Sequence, residues 1–185
     1  MSATREQPSV SSVDEDASVW NGTYEIEVTI DRPVSEVWEQ FLDVGSWVTS
    51  HKIEEITEPR RVLGAITRVS PSEEAMRAVT SGTGEGLPPV HYHYCKIIKL
   101  VPEQQYVLKT YSEKGGSYGL EIVAFDDARF YSEDGKTRAV FNLFCSFKGE
   151  LVAKDPSAMS LEGSRQGMIG NLENLKRIVE SGAAK

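Results

Sequence analysis

The sequence has no apolar run that approaches the ~18 consecutive residues needed to cross a membrane. Residues 1–21 also contain no apolar segment, so we expect neither a signal peptide nor an anchor there. Cysteine is scarce, with Cys95 and Cys145 the only two. Both occur in alternating apolar segments, where a buried free thiol is expected rather than a disulfide framework. These features predict a soluble protein of the reducing cytoplasm, with no membrane insertion.

Basic residues are also fewer than acidic residues. The chain has 20 Lys and Arg against 28 Asp and Glu, for a net charge of −8. Nucleic-acid binding needs a basic face that neutralises phosphates, so this balance argues against a nucleic-acid partner. At 185 residues and 39% hydrophobic content, the chain fits one globular domain.

Common catalytic and metal-binding signatures are also missing. There is no Gly-x-Ser-x-Gly elbow, no Gly-rich phosphate loop that opens a helix and no Cys-x-x-Cys pair. His91 and His93 lie near Cys95, but a zinc site needs three or four converging ligands, and the remaining candidates show no recognisable spacing. We therefore expect no metal and no other cofactor.

Regular structure is predicted after a disordered N-terminal tail of residues 1–22, and residues 23–182 are predicted to form a single domain. Strict alternation of apolar and polar residues predicts a first strand at 23–30. A short helix should follow, with Asp31 as its cap, Pro33 in its first turn and Gly45 at its end. Alternation and turn signals predict six further strands, at residues 51–57, 62–69, 90–100, 105–111, 117–125 and 136–147.

Two irregular features accompany these strands. The run 128–131 is expected to extend the sixth strand past a bulge at Asp126 and Asp127. The segment from Pro71 to Pro89 is predicted to be a mobile loop that gates a pocket.

The last predicted element is a long helix from Pro156 to Ser181, followed by Gly182. One face carries an apolar stripe, formed by Leu161, Met168, Leu172, Leu175 and Val179. A neighbouring stripe is nearly bare of side chain and consists of Gly163, Gly167, Gly170 and Asn174, with Ser164 and Asn171 between the two stripes. Glycine costs about 1 kcal/mol relative to alanine in a helix. Two explanations stay open: the backbone packs closely against the sheet, or this face borders a space filled by a ligand.

The order of elements, with the motif Ile30-Asp31-Arg32-Pro33-Val34-Ser35-Glu36-Val37-Trp38, the stretch Asp43 to Trp47 and the join Leu100-Val101-Pro102-Glu103, resembles the START/birch-allergen-like superfamily. Within it, the chain is most similar to the polyketide cyclase/dehydrase-like branch, and the resemblance covers residues 23–181. It implies an α+β helix-grip fold: a seven-stranded antiparallel sheet wrapped around a long C-terminal helix, with an internal cavity. It also implies binding of lipids, hormones, flavonoids or polyketides, which some members cyclise or dehydrate, while others are co-chaperone domains.

Alternation assigns the cavity-facing side chains, because mid-strand Lys and Glu should face water. The predicted ligand-binding residues on the strands are Cys95, Tyr106, Leu108, Thr110, Leu120, Phe141 and Leu143, and the uncharged face of the last helix adds Gly167 and Asn171. Lys96 places His91 and His93 inward, and Glu121 does the same for Tyr118. We predict that a histidine moves a proton and that Tyr118 hydrogen-bonds a carbonyl oxygen. A solvated, idle position at a strand end is the competing interpretation for both histidines.

The resulting hypothesis is a cofactor-independent cyclase, dehydratase or lyase that acts on a hydrophobic, aromatic or polyketide-like small molecule. A carrier or sensor of a hydrophobic ligand is the alternative, and a co-chaperone-like interaction domain is the third possibility. The partner is predicted to be a hydrophobic small molecule, and the protein a monomer or homodimer.

Overall fold

The computed structural model describes residues 19–49, 51–71, 92–112, 120–149 and 161–182. Within these ranges the chain forms seven strands and three helices. In chain order they are β1 (Val19–Ile30), α1 (Val34–Leu42), α2 (Val44–Trp47), β2 (His51–Glu55), β3 (Ile66–Pro71), β4 (His93–Val101), β5 (Gln105–Ser112), β6 (Leu120–Glu133), β7 (Lys136–Gly149) and α3 (Leu161–Glu180). None of these helices combines the length and the apolar character that a membrane crossing requires.

The strands form one antiparallel sheet in the order β1-β7-β6-β5-β4-β3-β2. Neighbours in the chain are neighbours in the sheet, except that β1 lies beside β7, where it pairs from Val19 opposite Lys148 to Ile30 opposite Thr137. This arrangement confirms the predicted α+β class with a seven-stranded antiparallel sheet and a long C-terminal helix.

The first strand starts earlier than predicted, at Val19 rather than at residue 23. Trp20 accounts for the difference: it is 6% exposed and its ring lies 5.4 Å from that of Phe147 on β7. Trp20, Gly22, Tyr24 and Ile26 are alternate residues that face inward. Gly22 has no side chain, so the alternation of apolar and polar side chains is not visible there in the sequence. The predicted tail boundary at 22 is therefore wrong, and residues 1–18 lie outside the described residues.

The helical segment after β1 also differs from the prediction. Pro33, not Asp31, occupies the cap position of α1, and the backbone N–H of Asp31 donates to Glu180 Oε1 at 2.8 Å instead. Helix α1 ends at Leu42, and Gly45 lies inside the short helix α2 rather than ending the first helix. The Ser46 hydroxyl donates to the Asp43 carbonyl at 2.6 Å, which stabilises the turn between the two helices.

Several strand boundaries are corrected. Strand β2 ends at Glu55, β3 begins at Ile66 and β4 begins at His93, whereas β7 continues to Gly149. Strand β6 runs unbroken to Glu133, so the bulge predicted at residues 126–127 is wrong; a register shift occurs instead on β4, between Ile97 and Lys99. Two adjacent aspartates resemble a turn, but here their side chains project to opposite faces of a regular strand. The predicted gating loop runs from Pro71 to Pro89 and lies outside the described residues apart from Pro71.

The core lies between the concave face of the sheet and the three helices. Helix α3 buries Leu172, Leu175 and Val179, each at most 2% exposed, as its apolar stripe predicts. A Cβ built on Gly167 or Gly170 meets no heavy atom within 4 Å, and both residues are exposed. Close backbone packing is therefore wrong for these two glycines.

The C-terminal end of α3 is anchored to the loop after β1. The Arg32 guanidinium donates to the Glu180 carbonyl at 2.9 Å, and the Lys176 ammonium donates to the Thr29 carbonyl at 2.8 Å. The Thr137 hydroxyl, fully buried on β7, donates to the Arg32 carbonyl at 2.8 Å. These bonds close the helix–sheet interface at the C-terminal end of α3. The space between the sheet and the helix therefore lies toward the N-terminal half of α3.

Candidate functional site

An apolar cavity of about 130 Å³ lies between the sheet and the helices. Its walls come from β1, α1, α2, β5, β6, β7 and α3, and are mostly aromatic and aliphatic: Tyr24, Phe41, Val44, Trp47, Val48, Tyr106, Leu108, Ala128, Phe141, Leu143 and Met168. Asp126, Asp127 and Asn142 also border it, but strand alternation directs the side chains of Asp127 and Asn142 to the opposite face of the sheet from Asp126 and Leu143. Aromatic and aliphatic walls with few polar groups are typical of small-molecule sites.

The carboxyl group of Asp126 is the main polar feature of this cavity. Asp126 lies opposite Leu143 in the β6–β7 register and between the buried Ala124 and Ala128 on the same face. The side chain keeps some accessible surface because it borders the cavity. Burial away from bulk water disfavours its charged form and raises its pKa from 3.8 to about 6. The cavity thus holds one carboxyl group that changes charge close to neutral pH.

Two tyrosines of the cavity wall remain neutral near this carboxyl group. Burial is the main cause that raises the pKa of Tyr24 to about 12; a hydrogen bond with Ser164 at 3.4 Å lowers it, and the charge of Asp126 adds to the rise. Burial also raises the pKa of Tyr106, again with a contribution from Asp126. Both hydroxyls therefore remain protonated at physiological pH and can donate hydrogen bonds to a ligand.

Both cysteines are also neutral. Burial, with a smaller effect of Asp126, raises the pKa of Cys95 and of Cys145 to about 11 each. Such thiols are poor nucleophiles, because the thiolate is the reactive form. Neither thiol is a candidate for covalent chemistry at neutral pH.

The neighbouring Asp127 has the opposite electrostatic character. Its carboxylate accepts hydrogen bonds from Gln105 at 2.7 Å and from Arg129 at 2.8 Å. Desolvation alone would raise its pKa, but these bonds outweigh it and leave the pKa lowered. Asp127 is therefore held as an anion by a local pair, and Asp126 is not.

A second space of about 70 Å³ adjoins the first toward β2 and β3 and shares Val44, Tyr106 and Leu108 with it. Cys95 lines it, with Sγ 3.3 Å from the hydroxyl of Thr110. Its outer edge is charged, since Arg61 lies 2.8 Å from Asp43 and 3.4 Å from Glu55. These contacts connect the β2–β3 loop to the α1–α2 turn.

Of the predicted ligand-binding residues, Tyr106, Leu108, Phe141 and Leu143 line the first cavity, and Cys95 lines the second. Asn171 is buried on α3 and Gly167 is exposed; neither borders the two cavities. Thr110 contacts Cys95, and Leu120 is the first residue of β6. Their roles in ligand binding remain predictions.

Among the residues predicted to be catalytic, only His93 can be placed. It opens β4, paired with Val69 and Ser112, and it does not line either cavity. His91 and Tyr118 lie outside the described residues. Within the described ranges no three His, Cys, Asp or Glu residues converge on a possible metal position.

Asp126 is the site residue that the sequence analysis missed. Glu121 faces water, and the parity that predicts Leu120 and Ile122 to face inward also predicts Ala124, Asp126 and Ala128 to do so. Because a bulge was predicted at Asp126 and Asp127, the predicted alternation ended at Phe125, one residue before Asp126.

No family model and no curated protein matches this sequence. Solved structures do match it over most of its length. Ara h 8.0201 aligns with a TM-score of 0.59 at 16% identity, over 87% of this chain and 99% of that one. The Zhui aromatase/cyclase from a Streptomyces species gives 0.59 at 14% identity, over 86% and 94% of the two chains. Truncated norcoclaurine synthase from Thalictrum flavum gives 0.57 at 10% identity, over 88% and 95%.

The chain has the helix-grip fold. The fold that the resemblance implies is thereby confirmed. At identities of 10–16%, the likeness establishes the helix-grip architecture and not an activity.

Proposed function

We propose that this protein binds a small, largely apolar molecule in the cavity between the sheet and α3. The observation that carries the proposal is the cavity itself, about 130 Å³ with walls that are almost entirely aromatic and aliphatic. Core packing normally leaves few voids larger than a water molecule, because each unfilled space forfeits dispersion contacts. A space of this size inside an aromatic cluster is consistent with an occupant.

The volume limits the size of that occupant. An apolar cavity of about 150 Å³ accommodates benzene in an engineered protein. A cavity of about 130 Å³ therefore suits a single ring with a short substituent. A ligand with several rings would also need the second space, whose wall shares Tyr106 and Leu108 with the first cavity.

A cavity-filling substitution tests the proposal with toluene as the probe. Leu143→Trp places a larger side chain in the cavity wall, and we expect at least a tenfold loss of toluene affinity, measured by ligand-observed NMR. Val123→Trp is the matched control, because Val123 is 37% exposed on the neighbouring strand. Equal toluene binding by both variants, or none by the native protein, would contradict the proposal.

A second candidate function is catalysis without a cofactor, of the cyclase, dehydratase or lyase type. The specific observation in its favour is Asp126, an acid in an apolar cavity with a pKa of about 6, close to the optimum for a group that both accepts and donates protons. Two of the solved structures with this fold are named an aromatase/cyclase and a synthase, which is compatible with such a role. The catalytic roles of His91, His93 and Tyr118 remain predictions.

The chemistry would be proton abstraction next to a carbonyl group. The Asp126 carboxylate takes a proton from the α-carbon, the C–H electron pair becomes the C=C bond, and the carbonyl oxygen takes up the negative charge. Tyr24 or Tyr106 donates a hydrogen bond to that oxygen. The protonated Asp126 then returns the proton to carbon or passes it to a leaving hydroxyl group.

Deuterium exchange tests this second candidate without knowledge of the natural substrate. Acetophenone in D₂O at neutral pD should exchange its methyl protons faster with the protein than in buffer, as followed by NMR. A general base contributes about 10²-fold or more, so Asp126→Asn should lose about that factor while Asp127→Asn keeps the native rate. Exchange no faster than the buffer blank would reject the catalytic candidate and leave ligand binding standing.

A further inference from the structure

The acid of the cavity has no basic counterpart among the described residues that line it. Among the described residues that line it there is no lysine, arginine or histidine. Asp127, by contrast, has its charge balanced by Arg129. A carboxylate that borders an apolar space, with no cation among the described lining residues, is electrostatically complementary to a positively charged ligand.

The aromatic walls favour the same kind of ligand. Five aromatic side chains border the cavity with Asp126: Tyr24, Phe41, Trp47, Tyr106 and Phe141. The face of an aromatic ring carries negative electrostatic potential, and such rings attract organic ammonium ions when water is excluded. The rings also pack against the hydrocarbon part of an amphipathic amine. A neutral carbonyl ligand would use the walls but leave the carboxylate unpaired.

From these two features we propose that the cavity recognises a small organic ammonium ion, a single ring or short hydrocarbon that carries one basic nitrogen, with the Asp126 carboxylate as its counter-ion. This inference rests on the proposed ligand-binding function and specifies the ligand class. The ammonium group donates charge-assisted hydrogen bonds to the carboxylate, and the hydrocarbon part fills the apolar end.

The charged and titratable groups around Asp126 determine how binding depends on pH. They are Tyr24 on β1, Cys95 on β4, Tyr106 on β5 and Cys145 on β7, whose pKa values are all raised to about 11 or above. Helix α3 brings Arg165 toward Tyr24, where it lies 3.7 Å from Glu162. The β2–β3 side brings the ion-paired Glu55 and Arg61 toward Tyr106. Helices α1 and α2 contribute only uncharged walls. Of the groups with raised pKa values, only Asp126 changes charge between pH 5 and 8.

The first test uses the native protein and two probes of equal size, benzylamine and benzyl alcohol, with calorimetric titration at pH 5 and pH 8. At pH 8 we expect benzylamine to bind about tenfold or more tightly than benzyl alcohol. Its affinity should fall about tenfold at pH 5, where the carboxyl group is largely protonated while the amine keeps its charge. The affinity of benzyl alcohol should change much less, and it controls for pH effects that do not depend on the charge of the ligand.

The second test uses variants. Asp126→Asn should abolish the preference for benzylamine over benzyl alcohol at pH 8, and Asp127→Asn should retain it. Binding of benzyl alcohol but not of benzylamine, or an affinity for benzylamine that rises as pH falls, would overturn the ammonium proposal while the apolar-ligand function stands. Binding of neither probe nor toluene would overturn both. Because the pH comparison uses the native chain, the proposal is testable even if a variant fails to fold.

Discussion

Asp126→Asn is expected to raise the free energy of unfolding by about 3 kcal/mol at pH 7. In the folded protein the carboxyl group ionises near pH 6 instead of 3.8. Between these values the unfolded chain has released a proton that the folded chain retains, so native stability falls as pH rises from about 4 to about 6. The difference of roughly two pH units corresponds to about 3 kcal/mol. Asparagine has nearly the same shape and no charge, so the variant lacks this loss.

Urea denaturation at pH 4 and pH 7 measures the effect. The native protein and Asp126→Asn should be similar at pH 4, where the acid is protonated, and should differ at pH 7. Asp127→Asn should show the opposite sign, a loss of about 1 kcal/mol or less, because it removes an anion that Arg129 and Gln105 stabilise. If Asp126→Asn is less stable than the native protein at pH 7, the carboxylate has stabilising partners and its pKa is not raised.

A stability gain on removal of Asp126 would fit a functional role for this acid. A buried charge without a partner costs folding energy, and residues with perturbed ionisation cluster at functional sites. A ligand that neutralises the charge of Asp126 would remove this energetic cost on binding. The expected gain in stability at pH 7 and the expected loss of amine preference thus have one physical origin.

Much of the fold was accessible from local pattern alone. The alternation from Tyr24 to Ile30 and the apolar stripe at Leu172, Leu175 and Val179 each encode one buried face, and both are buried in the structure. A period of two or of about 3.6 is a local property of the chain, so it survives without knowledge of tertiary contacts. The sheet and its grip on α3 follow from such local signals.

The missed features depend on partners distant in the sequence. Trp20 becomes part of β1 because Phe147 covers it, more than a hundred residues away along the chain. Asp126 and Asp127 have the same residue type and adjacent positions. Alternation along β6 places Asp127 on the face of Arg129 and Asp126 on the face of Ala124 and Ala128, but only the packing of the helices over that face encloses Asp126 in an apolar cavity. Their different pKa values are a tertiary property, which composition and spacing do not contain.

The other large effect is expected from Phe41→Ala, which removes the central ring of the core. Phe41 is 4% exposed, and its ring stacks on Trp47 at 5.5 Å and meets Tyr106 and Phe130 edge-on at 5.2 and 5.0 Å. Truncation of such a phenylalanine typically costs about 3–5 kcal/mol, because the lost contacts add to the cavity left behind. We expect a loss of this size in the free energy of unfolding, measured by urea denaturation at pH 5.

The same substitution should also change ligand size selectivity, since Phe41 lines the cavity. The folded variant should bind naphthalene, which the native protein should exclude, while toluene affinity weakens in the enlarged space. Phe144→Ala is the matched control, because Phe144 is 39% exposed and its ring lies 6.3 Å from that of Phe125. That control should lower the free energy of unfolding by about 1 kcal/mol or less and leave the binding of toluene and of naphthalene unchanged. If Phe41→Ala lowers the free energy of unfolding no more than Phe144→Ala does, the aromatic cluster does not hold the helices on the sheet. If it lowers the free energy of unfolding by the expected amount but naphthalene is still not bound, the core has collapsed into the vacated space and the cavity wall is formed by other residues.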